Sequence, residues 1–409
     1  MIKRIEKCRV SGESDLVSVL KLGDQELTGV FPANAATAVT VGPIELVWSP
    51  SSGLLQIGHV YPPEEMYGEN YGYRSGLNQS MVRHLTSKIV NLEKFAELVP
   101  GDVVLDIGSN DATSLKSYQT PSLTRIGIDP TGAKFRQYYP DDICLVPDFF
   151  TAENFDKASK KRAKIITSIA MFYDLENPIA FARDIASSLA VDGIWHFEQS
   201  YMPAMLRLNS YDTMCHEHVE YYSLSVIDKI LKAADLKLVD VTMNDINGAS
   251  FAVTAAHKSS LRPANQAVIN WLLEQEERAG LSTEAPYRAF ADRVVRHRSD
   301  LRRLLQGLKD EGKRVLGYGA STKGNVVLQY CGIGPDLVEA IAEVNPDKYG
   351  CVTPGTHIPI VSESDALAML PDYYLVLPWH FRNGILEREQ EYMARGGKFI
   401  FPFPEIEIV

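Results

Sequence analysis

Short apolar runs alternate with segments of helical periodicity through the middle of the chain. Four such runs lie near residues 103–107, 125–128, 164–169 and 193–197, and the segments between them have the spacing of amphipathic helices. Apolar runs without alternation are typical of parallel strands that helices cover on both faces. A further helix is predicted over residues 79–99, where apolar residues recur at helical spacing. The pattern predicts an α/β fold with a parallel sheet in this part of the chain.

The segments on either side of this region have different patterns. At the N-terminal side, short apolar pieces alternate with Gly, Pro, Ser and Asn, which predicts a small β-rich module. Residues 263–311 are rich in Glu, Arg, Leu and Ala, which predicts a helical connector. A second α/β unit begins with the strand-like residues at Arg314. We therefore divide the chain into residues 1–75, 76–258 and 259–409.

The composition agrees with a folded chain of several domains. At 409 residues the chain is too long for a single core. Its 45% apolar and 23% charged residues are typical of globular proteins. The formal net charge of −11 is spread along the chain, which argues against nucleic acid or an anionic membrane as a partner. No apolar run reaches about 18 residues, so no membrane span is predicted.

Two further features concern location and assembly. The first residues lack the apolar core of a signal peptide. The five cysteines are scattered and form no disulfide framework, as is usual in a reducing compartment. We therefore expect a cytoplasmic protein. We also expect a monomer, because the three predicted modules can bury most of their apolar surface against one another.

A cofactor-type loop follows the first predicted strand of the middle region. The strand ends in Asp106-Ile-Gly108-Ser-Asn110-Asp111, and the second strand ends in Asp129, 23 residues after Asp106. The glycine permits a close approach of the backbone to a ligand. An acid at the tip of the second strand can accept hydrogen bonds from both ribose hydroxyls. The pair of motifs predicts a nucleoside-cofactor site, although an ordinary strand–loop–helix start remains the structural alternative.

The charge of this loop favours S-adenosylmethionine over a dinucleotide. The second and third glycines of a dinucleotide fingerprint are missing, and Asp111 lies where a pyrophosphate would have to bind. An acidic loop repels phosphates but suits a ligand with a sulfonium and an ammonium. We expect Asp106 or Asp111 to bind the charged methionine end. Further along, Asp148 is expected to bind the adenine amino group, with Phe149 against the ring.

The densest cluster of chemical groups lies between Tyr211 and Ser223. It contains His216, Glu217, His218 and three tyrosines, among them Tyr222. A histidine supplies a base near neutral pH, and a nearby carboxylate can orient it. A His-x-His spacing can also bind zinc when it lies on a strand, but the segment offers no obvious third ligand. Catalysis is the favoured interpretation, with a polar loop and a metal site as alternatives.

Two other segments are predicted to contact a substrate. Small residues, hydroxyls and a lysine follow the strand near residue 315, and such a helix start is a favourable anion site for a substrate diphosphate. A tight turn in a supporting domain is the alternative for this loop. At the end of the fourth strand of the middle region, two polar residues should face the cleft where ligands bind in open α/β sheets. The predicted substrate contacts are Tyr318, Ser321, Lys323 and Asn325 in the first segment, and Glu198 and Tyr201 in the second.

The order of these motifs resembles that of nucleotide-sugar C-methyltransferases over nearly the whole chain. The similar segments are Tyr71-Gly-Tyr73-Arg-Ser75, Glu217-His218, Gly317-Tyr-Gly-Ala320, Pro354-Gly-Thr-His-Ile-Pro359 and Gly396-Gly-Lys398. The resemblance implies a class I methyltransferase Rossmann-like domain between a small zinc-binding module and a C-terminal Rossmann-like domain. It also implies methylation of a ring carbon of a nucleotide-linked 4-keto deoxysugar, as in deoxysugar biosynthesis, with S-adenosylmethionine as methyl donor.

The chain departs from the family in its N-terminal module. Two Cys-x-x-Cys pairs are usual there, but this chain has Cys8 with Ser11, and Ser49 with Ser52. A serine hydroxyl is a poor neutral ligand for zinc. We therefore expect this module to fold without metal, with packing against the central domain, through Trp48 and the tyrosines, compensating for the loss. Many relatives also have a histidine within residues 168–174, and this chain has none there.

Methylation of a sugar carbon needs an enolate, which a 4-keto group makes accessible. We expect His218 to remove the proton, with Glu217 orienting it or acting as a second acid or base. Tyr73, Tyr222 or His216 is expected to donate to the enolate oxygen. The alternatives are a sugar O- or N-methyltransferase, an NAD-dependent sugar-nucleotide oxidoreductase, and a binding module that has lost its activity.

Overall fold

The computed structural model describes residues 2–62 and 74–409. It contains three larger β-sheets, which we call the N-terminal, middle and C-terminal sheets, and a separate strand pair formed by Lys3–Arg4 and His59–Val60. Within the described ranges, no helix is long and apolar enough to cross a membrane.

The middle sheet has seven strands in a mixed arrangement. In spatial order they are Leu236–Asn244, Ser250–His257, Leu189–Ser200, Ala163–Ile169, Val103–Ile107, Thr124–Ile128 and Ile143–Val146. The last five pair in parallel, and the first two are antiparallel to their neighbours. The predicted parallel strands are confirmed, whereas the strand at 143–146 was not predicted. The strand order reverses beside Val103–Ile107, which is where open α/β sheets bind ligands.

Seven helices accompany the middle sheet in the described chain: Gln79–Ala96, Thr113–Lys116, Gly132–Phe135, Ala152–Ala158, Pro178–Ser188, Met202–Leu208 and Leu224–Ala233. The first begins at Asn78, whose side chain accepts a hydrogen bond from the Ser80 N–H. Its buried residues, Met81, Leu85, Ile89 and Leu92, recur every three or four positions and therefore share one face. The predicted helix at 79–99 is confirmed, with its C-terminal end three residues earlier than expected.

The N-terminal sheet takes one of its strands from a distant part of the chain. Its strands in spatial order are Glu220–Tyr221, Leu55–Ile57, Val41–Trp48 and Val17–Glu26. The strand at 220–221 pairs antiparallel with Leu55–Ile57. The β-rich character of the N-terminal module is confirmed. The segment predicted to be catalytic therefore continues directly into this sheet.

The C-terminal sheet has six strands: Ile360–Ser362, Ile341–Glu343, Val315–Tyr318, Tyr373–Val376, Lys398–Phe401 and Glu407–Ile408. All pairs are parallel except the last. Its helices are Thr322–Cys331, Glu363–Ala368, Arg382–Arg388 and Gln390–Ala394. The predicted helical connector consists of two helices, Gln266–Arg278 and Ala285–Asp310.

The second connector helix packs against the N-terminal module. Trp48 stacks on Tyr287 of this helix, with ring centroids 4.9 Å apart and an interplanar angle of 30°. Packing against the central domain was expected to replace the zinc, and Cys8 and Leu54 do share a buried core with residues of that domain such as Val226. At Trp48 the partner is instead the connector helix, which runs alongside the N-terminal sheet.

Hydrogen bonds connect the residues at the four positions where the family resemblance implies zinc ligands. The Cys8 Sγ and Ser52 Oγ atoms are 3.1 Å apart. Asp15 accepts a hydrogen bond from the Ser49 hydroxyl at 2.8 Å and from the Ser51 N–H at 2.7 Å. The described residues contain no group of three or more His, Cys, Asp or Glu side chains that could hold a metal ion. One thiol and three hydroxyls do not match the donor set of a structural zinc site.

We predict that removal of metal leaves the stability of this protein unchanged. Prolonged dialysis against EDTA should not lower the melting temperature, because polar side chains already link the two halves of the former zinc site. A triple variant with Ser11→Cys, Ser49→Cys and Ser52→Cys restores four thiols, and its melting temperature should become sensitive to EDTA. A lower melting temperature of the unmodified protein after EDTA treatment would contradict this prediction.

Candidate active site

A cavity of about 470 Å³ lies between the carboxyl ends of the middle strands and the C-terminal sheet. It brings together residues predicted from separate motifs along the chain. The predicted residues that line it are Asp106, Gly108, Asn110, Asp129, Phe149, Glu198, Glu217, His218, Ser321 and Lys323. One cavity therefore combines the predicted cofactor loop, the predicted base and the predicted anion loop.

The cofactor loop has an unusual backbone. Gly108 has a φ of 70°, and a Cβ atom at this position would lie 3.2 Å from Cγ of Met171. Glycine is therefore favoured both by the left-handed conformation and by the close contact. Asn110 and Ala112 also have positive φ angles, of 48° and 61°. Such conformations in non-glycine residues are rare and concentrate at functional sites.

Asp129 organises this loop from the tip of the neighbouring strand. Its Oδ2 atom accepts a hydrogen bond from the Asn110 N–H at 2.7 Å. Its Oδ1 atom accepts from the N–H and the hydroxyl of Thr131, at 2.7 and 2.6 Å. A carboxylate has about four acceptor positions. Asp129 can therefore hold the loop and still accept a hydrogen bond from a ribose hydroxyl in the cavity.

Asp106 is a buried carboxyl group whose pKa lies near neutral pH. Burial, with a smaller contribution from the charge of Asp129, raises its pKa to about 7. The Thr167 hydroxyl donates to its Oδ1 atom at 2.6 Å and opposes this shift. A cationic ligand group beside Asp106 would favour the ionised form.

Two predicted cofactor residues are not among those that line the cavity. Asp111 is buried, and it accepts hydrogen bonds from the Gly76 N–H at 2.9 Å and from Thr113 Oγ1 at 2.5 Å. It thus joins the loop to the start of the first helix, and Asp106 is the better placed of the two acids for the methionine end. Asp148 is exposed and accepts hydrogen bonds from the Phe149 N–H and the Asn154 side chain.

The arrangement of His218 suits it to act as a base. Its Nδ1 atom lies 3.1 Å from the Thr213 carbonyl oxygen. A carbonyl oxygen only accepts, so Nδ1 carries the proton and Nε2 of the neutral ring keeps a free lone pair. The ring of Tyr173, which also lines the cavity, lies edge-on to His218 with centroids 4.3 Å apart.

The pKa values of Glu217 and His218 shift in opposite directions. Burial raises the pKa of Glu217 above its usual range. Burial, and secondarily the charge of Lys323, lowers the pKa of His218 to about 3. At neutral pH the histidine is therefore unprotonated, and the carboxyl is more readily protonated than usual. Opposed shifts of neighbouring groups are characteristic of acid–base pairs.

Two of the other predicted enolate donors, His216 and Tyr222, do not reach this cavity. His216 is buried against the N-terminal sheet, with Nε2 3.4 Å from the Gly42 carbonyl and the Tyr61 ring centroid 4.8 Å away. The Tyr222 hydroxyl donates to the Glu220 carboxylate, and its ring stacks on Phe172. We therefore withdraw His216 and Tyr222 as groups that contact substrate. Tyr73 lies outside the described residues.

Glu198 belongs to a buried polar network that the sequence analysis missed. It accepts hydrogen bonds from His84 at 2.6 Å, Lys88 at 2.8 Å and Asn244 at 2.6 Å. Burial alone would raise its pKa, but the contacts with His84 and Lys88 outweigh burial and lower it to about 2. His84 and Lys88 are four residues apart on one helix and therefore share a face. This spacing is the sequence feature that could have indicated the network.

The C-terminal sheet contributes one wall of the cavity. Lys323 donates to the Asn247 carbonyl oxygen at 3.0 Å, which joins the C-terminal helix start to the middle sheet. His380 also lines this wall and was not predicted.

Three of the predicted substrate residues are absent from the residues that line this cavity. The Tyr201 hydroxyl donates to Glu276, and the Tyr318 hydroxyl donates to Glu389, both at 2.8 Å. The Asn325 side chain donates to the Thr28 carbonyl oxygen, also at 2.8 Å. These three side chains hold elements together, and contact with substrate is not the role that their geometry supports.

Comparison with known proteins shows the class of enzyme to which the chain belongs. Residues 81–241 match a family described as a methyltransferase domain, and residues 245–404 match the C-methyltransferase C-terminal domain. Residues 8–67 match a putative zinc binding domain, although this chain has one of the four expected thiols. The strand order of the middle sheet and these matches define a class I methyltransferase that uses S-adenosylmethionine.

A relative of similar length shows a more specific family within this class. The C-methyltransferase NovU of Streptomyces niveus is 30% identical over 416 residues, which cover 100% of this chain and 98% of the relative. The chain belongs to the C-methyltransferase family.

Solved structures of methyltransferases resemble part of the chain. The plantazolicin methyltransferase BpumL in complex with SAH is 14% identical, with a TM-score of 0.36, and the match covers 45% of this chain and 87% of that one. The N-methyltransferase NodS from Bradyrhizobium japonicum is 13% identical, with a TM-score of 0.32, covering 44% and 98%. These scores are too low to support an argument about the site.

We predict that the affinity for S-adenosylhomocysteine rises with pH through about 7, since the ammonium of this ligand should bind the ionised form of Asp106. Below this pKa a proton must leave on binding, which weakens affinity by up to about tenfold per pH unit. Calorimetric titration at pH 6 and pH 8 measures the difference. The Asp106→Asn variant should bind more weakly and without this pH dependence. Equal dissociation constants of the unmodified protein at the two pH values would refute the assignment.

Proposed function

We propose that this chain methylates a ring carbon next to the carbonyl of a nucleotide-linked 4-keto deoxysugar, through an enolate. The observation that carries this proposal is the presence of Glu217 and His218 in the same cavity as the cofactor loop and Lys323. A C-methyltransferase must make its carbon nucleophilic, and removal of a proton next to a carbonyl is the simplest way to do so. A base, an acid and a cation around one cavity are the groups that this chemistry requires.

In this proposal His218 removes the proton with its Nε2 atom. The Thr213 carbonyl holds the Nδ1 proton and so fixes the ring orientation. The low pKa keeps the His218 ring unprotonated, so that Nε2 is available to accept a proton. The same low pKa makes the ring a weaker base in the free enzyme. An anionic substrate beside Lys323 would neutralise the lysine charge, which is the second cause of that low pKa. Binding of the nucleotide diphosphate would thereby strengthen the base.

Glu217 and Lys323 are the proposed partners of the enolate oxygen and the substrate phosphates. A protonated Glu217 can donate a hydrogen bond to the oxygen on which charge develops. Lys323 and the helix that begins at Thr322 provide positive charge for an anionic group. These roles replace those that we first expected for His216 and Tyr222.

S-adenosylmethionine supplies the methyl group when it is bound. The residues that fit it are Asp129 for the ribose, Asp106 for the ammonium, Gly108 for close backbone approach, and Phe149 for the adenine ring. All four line the cavity beside the base. The enolate carbon can therefore form beside the methyl donor in one cavity.

The proposed base is tested by exchange of substrate protons with solvent. A nucleoside-diphosphate-linked 4-keto-6-deoxyhexose in D2O, with S-adenosylhomocysteine present, should lose the proton next to its carbonyl when the enzyme is added. General-base catalysis contributes roughly 10²–10⁴-fold, so His218→Ala should slow this exchange by a factor in that range. Proton NMR measures the rate.

His216→Gln is the matched control, because it alters a histidine two residues away whose ring lies outside the cavity lining. It should exchange at nearly the rate of the unmodified enzyme. Exchange that persists in His218→Ala would assign the base to another group. Methyl transfer without any exchange by the unmodified enzyme would favour an oxygen or nitrogen acceptor.

A further inference from the structure

The Glu217 carboxylate lies against a glycine of the N-terminal module. A Cβ atom built on Gly29 would be 2.3 Å from Oε1 of Glu217 and 3.8 Å from Oγ1 of Thr322. Gly29 does not have a left-handed backbone, so its conformation is open to other residues. A side chain at position 29 would therefore have to displace the carboxylate of Glu217, which occupies the space that its Cβ would take.

Glu217 has few polar contacts that would fix its position. The Cys215 thiol and the Glu217 backbone N–H oppose the rise in the pKa of this carboxyl, but burial outweighs both. Among the residues that the structure describes, its buried Oε2 atom has no hydrogen-bond partner. Glu198, in the same cavity, is held by three strong donors. The location of the Glu217 carboxylate therefore depends mainly on the atoms packed around it.

The turn that contains Gly29 is itself held firmly. The Val30 N–H donates to the Leu27 carbonyl at 3.2 Å, and the Asn325 side chain donates to the Thr28 carbonyl at 2.8 Å. Asn325 lies on helix Thr322–Cys331, which begins one residue before Lys323. The turn is thus attached to the helix that forms the opposite wall of the cavity.

Two further hydrogen bonds join the same helix to Glu26, the last residue of strand Val17–Glu26 that precedes the turn. The Glu26 N–H donates to the Gln329 side chain at 2.8 Å, and that side chain donates back to the Glu26 carbonyl at 3.1 Å. Paired bonds of this kind fix both position and orientation. Gly29 therefore presents a rigid surface to Glu217.

We propose that Gly29 is a positioning residue for Glu217, through which the N-terminal module sets the location of the acid in the active site. This inference rests on the proposed function, since it takes Glu217 as the acid. It gives the module that has lost its zinc ligands a part in the reaction.

The first test is the Gly29→Ala variant. The new methyl group must displace the carboxylate by about 1 Å, and a misplacement of that size can cost about 10²-fold in rate. We expect kcat for methyl transfer to fall by roughly 10- to 100-fold, with KM for the sugar nucleotide and the affinity for S-adenosylhomocysteine nearly unchanged. Gly307→Ala is the matched control, because no described atom lies within 4 Å of a Cβ at that helical position. An unchanged kcat in Gly29→Ala would overturn the proposal.

A double-mutant cycle separates positioning from a general effect on folding. In a Glu217→Ala background, Gly29→Ala should lower neither the residual rate nor the unfolding midpoint further. Glu217→Asp shortens the side chain by one methylene, so it should partly restore kcat to Gly29→Ala. Independent, additive effects of the two substitutions would overturn the proposal.

The unfolding midpoints measured in the double-mutant cycle do not depend on catalysis. If the unmodified protein transferred no methyl group to any 4-keto nucleotide sugar, the proposed function would fail. Coupling between positions 29 and 217 in urea unfolding would still decide whether Gly29 packs on Glu217 as described.

Discussion

The pairing of Glu220–Tyr221 with Leu55–Ile57 is the contact on which the active site depends. This short strand completes the N-terminal sheet only two residues after the proposed base. The next residue, Tyr222, forms a parallel bridge with Tyr201 at the end of the middle sheet. Because pairing fixes the register of a strand to the residue, two sheets together determine where the catalytic segment lies. The C-terminal sheet then closes the cavity from the other side, so the three parts of the chain form one functional unit.

Burial gives this cavity its chemistry. A carboxyl group removed from water holds its proton more strongly, and an imidazole removed from water loses its proton more readily. The structure uses both effects in neighbouring residues, Glu217 and His218. Buried ionisable groups lower the stability of the fold unless they are paired. Glu198 is paired in this way, because its carboxylate accepts hydrogen bonds from three donors. Glu217 lacks such a set, which leaves it free to exchange a proton with a ligand and makes its position sensitive to packing.

Local patterns in the sequence predicted those site residues that lie at the carboxyl end of a strand. Asp106 and Asp129 follow apolar runs, and the carboxyl ends of parallel strands necessarily share one edge of a sheet. His216 was expected to donate to the enolate oxygen beside His218, but residues 216 and 217 form a bend, and the two rings contact different neighbours, Tyr61 and Tyr173. The contact of Gly29 with Glu217 joins residues far apart in the chain, and no local periodicity reports such a contact. The serines of the former zinc site were recognised as poor ligands, whereas the bonds from Asp15 needed the folded module.

The account requires that the new bond join the methyl group to a ring carbon beside a carbonyl. The measurement is carbon NMR of the product formed from a ¹³C-labelled 4-keto nucleotide sugar and S-adenosylmethionine with a ¹³C-labelled methyl group. We predict a one-bond carbon–carbon coupling between the methyl carbon and a ring carbon adjacent to the carbonyl. A labelled methyl group without such coupling, as in an O-methyl or N-methyl product, would contradict the account.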